Sequence, residues 1–150
     1  MFLFLSYLNF SYVDWALHKY LLHDKESQSG WRIEHQEHHV DSQAIDKLCF
    51  YHNEIAVITA SSLPIFVMLC RLYDYALPIC ILAHFCAVII IVMMYNYSHS
   101  ITHGGTPPFF SIYTPWVTLL KENHLLHHKY HNCNFCTVVP GFDHLVGTRC

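Results

Sequence analysis

Charge is what this chain has least of. Lys, Arg, Asp and Glu make up 13% of its 150 residues, against about 25% in an ordinary soluble domain. The net charge of -3 comes with no basic run, which excludes the electrostatic footprint of a nucleic-acid binder. No Gly-x-Gly-x-x-Gly is present, so no dinucleotide fold is indicated. No His-Glu-x-x-His is present, which removes the usual zinc-protease site. No Glu-x-x-His is present either, which removes the soluble di-iron bundle. Low-complexity linkers and internal repeats beyond short histidine motifs are also missing, and the length suits one domain, residues 1–150.

What is present is apolar sequence and histidine. Hydrophobic residues make up 53% of the chain. Three apolar stretches stand out: Met1 to about Ala16, broken only by Asp14; Ile55 to Cys70; and Tyr75 to Tyr97. A spanning helix needs about 20 apolar residues. The third stretch meets this, and the second meets it with help from its flanks and a snorkelling Arg71. The first has no basic n-region and reads as a span rather than a signal peptide. Arg71 to Asp74 is so short a connection that it forces an antiparallel hairpin. Pro64 and Pro78 inside the spans are tolerable in membrane helices. The expected fold is all-α: about three spanning helices with a histidine-rich helical cap.

This topology puts the polar segments 24–54 and 98–150 on one face. Seven of the eight Lys and Arg residues fall there, namely Lys19, Lys25, Arg32, Lys47, Lys121, Lys129 and Arg149. Only Arg71 is opposite. The positive-inside rule then makes that face cytosolic. Seven scattered cysteines, an odd number, do not form a secreted disulfide framework and suit a reducing compartment. Cys133 and Cys136 form one CxxC pair, too little for a structural zinc site.

Ten of the fourteen histidines fall into four boxes on that face. They are His18 and His23; His35, His38 and His39; His99 and His103; and His124, His127 and His128. Residues at i, i+3 and i+4 share a helix face, so each HxxHH presents up to three imidazoles. His18 and His23 lie about 140° apart on an ideal α-helix, which suits two neighbouring metals better than one. Ten nitrogens suit two ions with about five ligands each and open positions for oxygen or water. Imidazole accepts iron, zinc, copper or nickel. Four histidines lie outside the boxes. His84 sits within a span as an internal hydrogen bonder, His131 is a spare neighbour four residues after His127, and His52 and His144 are structural. Asp14, Glu34 and Asp143 are candidate acceptors for imidazole N–H groups. Trp15, Trp31 and Trp116 suit an interfacial belt, and Thr106 to Phe110 a loop that dips to the membrane surface.

In this order the motifs resemble the fatty acid hydroxylase / sterol desaturase family. The opening box is similar at Trp15-Ala-Leu-His18-Lys-Tyr-Leu-Leu-His23, followed by His35-Gln-Glu-His38-His39. The third box is similar at Tyr95-Asn-Tyr-Ser-His99-Ser-Ile-Thr-His103, and the fourth at Lys121-Glu-Asn-His124-Leu-Leu-His127-His128. The tail, Asn134-Phe135 and then Phe142-Asp143-His144-Leu-Val-Gly147-Thr148, resembles the family's closing signature. The third box and tail look most like fatty acid hydroxylases. The resemblance implies the ten box histidines as ligands of a metal pair, iron or alternatively zinc. It also implies oxygen as co-substrate, a lipid chain as substrate and an endoplasmic-reticulum-type membrane. With no haem-domain His-Pro-Gly-Gly and no dinucleotide motif, electrons are expected from a separate donor such as cytochrome b5 and its reductase. Cys136 departs from the family's usual glycine. Members commonly have four spans, so three suggest a minimal form or one completed by a partner.

The boxes alone also admit a desaturase or a sterol- or carotenoid-type hydroxylase. From another class they admit a membrane metal-binding or metal-transport protein. A transporter places ionisable ligands near the midplane, where this chain has only His84.

Overall fold

The computed structural model describes residues 1–41, 52–104 and 115–150. Helix α1 (Phe2–Leu17) runs without a break into a π-helical turn, His18–Leu22. Helices α2 (Gly30–Val40), α3 (His52–Leu72), α4 (Leu77–Thr102), α5 (Pro115–Tyr130) and α6 (Gly141–Val146) follow. No strand occurs among the described residues.

The three apolar stretches become α1, α3 and α4. Helix α4 starts later than expected because Pro78 sits in its first turn, where a missing N–H costs nothing. It continues five residues past Tyr97, so the third histidine box is its last turn. Among the described residues, α4 is the one helix long and apolar enough to cross a membrane. Helix α1 has 16 residues and the apolar part of α3 is Ala56–Leu72. Each spans roughly 25 Å at 1.5 Å per residue, short of the hydrocarbon thickness of about 30 Å. Helices α3 and α4 form the expected hairpin, closed by Asp74 in the left-handed region (φ 55°). The Tyr75 amide donates to the Cys70 carbonyl at 2.9 Å.

Helix α1 packs on α3, α3 on α4, and α4 on α5. Phe10, Phe66, Cys70, Cys80, Val88 and Val92 interlock where the first three meet. The outer side of α4 leaves Ile79, Leu82, Ile89, Ile90 and Met93 more than half exposed. Helix α2 is started by Ser29, whose hydroxyl accepts from the Arg32 amide at 3.3 Å, as an N-cap does. Beyond α5 the chain folds back along α1. Phe135 and Cys136 join Trp15 in a second apolar cluster, and Val138 and Val139 cover Tyr95 in a third. Helix α6 rests on α1 through Gly141, where any Cβ would lie 2.5 Å from the Tyr7 ring. The loop from Thr106 to Phe110 and Lys47 lie outside the described residues.

Candidate metal centre

The π-helical turn decides where the first box points. Its i to i+5 bond, from the His23 amide to the His18 carbonyl at 3.2 Å, brings residues five apart into register. His18 and His23 therefore serve the same site, not two neighbouring ones as the α-helical angle suggested. Their Nε2 atoms each lie 3.1 Å from Nε2 of His35. His23 Nε2 is 3.1 Å from that of His127. His39 Nε2 stands 3.1 Å from His127 and 3.0 Å from His35. These five form one group able to hold a metal ion.

A second group able to do so is His38, His99, His103 and His124. His38 and His99 meet through Nε2 at 3.0 Å, as do His103 and His124. His128 lies beside this group, with its Nε2 3.0 Å from that of His124. Nine of the ten box histidines thus fall into two groups, of five and of four, with His128 at the edge of the second. Each HxxHH box straddles the two points. The i, i+4 pairs His35/His39 and His124/His128 stay together, while the middle residues His38 and His127 cross to the other group.

The nitrogen spacing tests what the groups fit. With metal–imidazole bonds of about 2.0–2.1 Å, cis ligands at 90° lie about 2.9 Å apart and tetrahedral ligands about 3.3–3.4 Å apart. The observed 3.0–3.1 Å is closer to cis edges of a five- or six-coordinate ion. Protonation is also right for binding. Burial first, then repulsion from neighbouring imidazoles, lowers His38 to about 3. The same causes lower His128 to about 4, and burial alone does so for His103. His18, His35 and His124 are pushed well below the ordinary value, again by burial first. At neutral pH these rings are neutral, the form that binds metal.

The ring nitrogens facing outward are set by the tail. The Nδ1–H of His18 donates to the Phe135 carbonyl at 2.7 Å, and that of His127 to the Cys133 carbonyl at 2.8 Å. These bonds fix the tautomer and turn Nε2 toward the shared point of the first group. The expected carboxylate acceptors do not take this role. Instead, Asp143 accepts from the amides of Phe135 and Cys136 at 3.1 and 2.7 Å, and from the Thr148 hydroxyl at 2.6 Å. Asp14 accepts from the amides of Thr137, Val138 and Val139 and from the Thr137 hydroxyl. The two aspartates hold the backbone that holds the histidines. Glu34 is exposed.

Cysteine pairing also differs from expectation. Cys133 is bonded to Cys150, not matched with Cys136. Cysteine reactivity therefore no longer argues for a reducing compartment. Cys136, where the family has glycine, is buried with its sulfur 3.5 Å from the Ser11 hydroxyl. His131 is exposed, its ring centroid 4.7 Å from that of His39. His84 is fully buried between α1 and α3, its Nε2 3.3 Å from the Ser62 hydroxyl.

An apolar cavity reaches the first group. It is lined by Phe10, Val13 and Leu17 of α1, Ile58 of α3 and Val92 of α4, and it ends on His18 and His35 of the first group. This largely apolar space could not be foreseen, because its lining comes from α1, α2, α3, α4 and the tail at Thr137 and Val138, which are distant in sequence.

The family model for fatty acid hydroxylases matches residues 3–148, and the chain belongs to that family. Membership implies an oxidoreductase of a metal-dependent, membrane-associated kind. A search of curated proteins and a search of solved structures each returned no match.

Proposed function

We propose that this chain is a membrane-bound dimetal oxygenase that hydroxylates an acyl chain of a lipid, with the ten box histidines as its metal ligands. The observation that carries the reading is an apolar cavity ending on the first of two imidazole groups, one of five and one of four. Iron is the favoured metal. Near-90° spacing suits it better than tetrahedral zinc, and breaking a C–H bond with oxygen needs a redox-active ion. When bound, the metal pair supplies the reduction of oxygen and the oxidation of the C–H bond. Overall, the lipid C–H, one O2, two electrons and two protons give the alcohol and one water.

The protein's own part is positioning. The cavity walls hold an acyl chain with one carbon at His18 and His35, which supplies the proximity that an unactivated C–H bond requires. Burial of both groups excludes bulk water. The carbonyls of Cys133 and Phe135 keep the Nδ1 protons of His127 and His18 in place.

The greasy outer side of α4 supports a membrane setting, since soluble monomers rarely expose so large an apolar patch. In this reading α1 and α3 accompany α4 through an endoplasmic-reticulum-type bilayer, and the histidine end, with seven of the eight basic residues, faces the cytosol. Electrons come from a separate donor of the cytochrome b5 and reductase kind. A desaturase is the second reading, because the same centre above the same cavity can remove a second hydrogen. Metal transport is disfavoured, because all ten ligands cluster beyond the apolar parts of the helices.

The test supplies the iron-loaded protein in lipid with an electron donor, saturated acyl lipids and isotopically labelled oxygen. A hydroxylated lipid carrying the label is expected, and its loss in His38→Ala. A chain that holds two metals, accepts electrons and yet makes no hydroxylated lipid would overturn the proposal. A new double bond without label would favour the desaturase.

A further inference from the structure

Three of the helices that line the cavity change character together at one level. On α1 the lining residues Leu17, Val13 and Phe10 give way to Asn9 and Ser6. On α3, Ile58 gives way to Ser62 one turn on, and on α4, Val92 gives way to His84 two turns back. Asn9, Ser62 and His84 form a chain of contacts across the helices. The Asn9 amide donates to the Ser62 carbonyl at 3.0 Å, and the Ser62 hydroxyl lies 3.3 Å from His84 Nε2. That hydroxyl donates to the Ile58 carbonyl at 2.6 Å, so the His84 ring must be the donor between them. Two buried oxygens here, Ser6 Oγ and Asn9 Oδ1, have no partner. Between this polar layer and the cavity stands one aromatic ring. Phe10 lines the cavity and stacks on His84, with centroids 5.6 Å apart and planes 17° apart.

We propose that Phe10, backed by His84, is the floor of the acyl cavity and determines how much chain fits beyond the carbon held at His18 and His35. This rests on the acyl-hydroxylase reading above. The physical reason is packing. Phe10, Ser62 and His84 are buried and in contact, so a hydrocarbon pushed past Phe10 would have to displace that ring and break the Ser62–His84 contact without replacing it. Phe10 lies eight residues before His18, roughly 12 Å along the helix axis at 1.5 Å per residue. The floor therefore limits the chain to a defined length below the reacting carbon.

The test uses the full chain, purified metal-free in detergent and offered a mixture of saturated acyl lipids of stepwise increasing length. Retained lipids are read by mass spectrometry. The wild type should show a sharp upper cut-off. Phe10→Leu should move it one or two steps toward longer chains, and Phe10→Trp should move it toward shorter ones. Phe10→Leu/His84→Leu, with the polar layer reduced, should admit chains longer than Phe10→Leu does. Circular dichroism and the elution volume select the variants that fold. The proposal fails if the wild type has no cut-off, or if folded Phe10→Leu and Phe10→Trp keep the wild-type profile. The iron-loaded enzyme separates the two ideas. A shifted binding profile without hydroxylation leaves the floor intact and removes the hydroxylase reading. Hydroxylation with an unmoved profile removes the floor.

Discussion

Asp143 shows how a single side chain reaches the metal centre without touching it. It is buried, and its three hydrogen bonds fix the Phe135–Cys136 backbone and Thr148. In Asp143→Ala the two buried amides lose their acceptor, at about 1–3 kcal/mol each. Chemical denaturation should show a loss of about 2–5 kcal/mol. Metal retention should weaken in the group containing His18 and not in the group containing His99. The histidines set a second, pH-dependent expectation. Their folded values are lowered, to about 4 for His23, His103, His127 and His128, against about 6.5 unfolded. Between those values the unfolded chain binds more protons than the folded one, so stability is lost as pH falls from about 6.5 to about 4. It should be flat between about pH 7 and pH 8, below the range where unfolded thiols titrate. Thermal melts of the metal-free protein across this range check the sign; a midpoint that does not fall on acidification contradicts it. The clustering of the HxxHH and HxxxH histidines was legible in sequence because imidazoles three and four apart share a helix face. Their outward partners were not, because a backbone carbonyl of Phe135 leaves no mark on side-chain pattern.

The turn from α1 to α2 carries the clearest difference between expectation and structure. An α-helical reading separates His18 from His23, and only a π-helical turn, which their spacing of five requires, brings them together. Nothing in His-Lys-Tyr-Leu-Leu-His announces that turn except the metal it serves. The positions of α3 and α4, by contrast, followed from the apolar runs, although both helices end beyond those runs and α4 begins only at the turn that holds Pro78. The tail segment 133–150 was read as a motif and proves to be a brace. The Cys133–Cys150 bond closes it across 17 residues, beside the carbonyl that orients His127. A loop of that size is worth about 3 kcal/mol. Cys150→Ser, or treatment with a dithiol reductant, should lower stability by about that amount. It should also speed metal loss from the His127 group. Unchanged denaturation and unchanged metal release would show that the brace is dispensable.

The molecule as a whole is a short apolar bundle with a polar, histidine-lined end. The proposed membrane setting accounts for the large side chains that α4 leaves exposed, and for interhelical contacts that rely on packing and on bonds such as Asn9 to Ser62. Fold class was readable from composition, and the four boxes from spacing. The cavity that ends on His18 and His35 is a property of packing and appears only in three dimensions. The proposed function requires two metal sites, one at each imidazole group, interleaved so that each HxxHH box serves both. Metal-to-protein ratio, measured on the purified chain loaded with iron, tests it most directly. The wild type should hold two ions, one for each group. His35→Ala/His39→Ala should lose the first and keep the second, and His99→Ala/His103→Ala should do the reverse, each leaving one. A wild-type ratio of one or none, or a loss of both ions from each double variant in folded protein, would contradict the account.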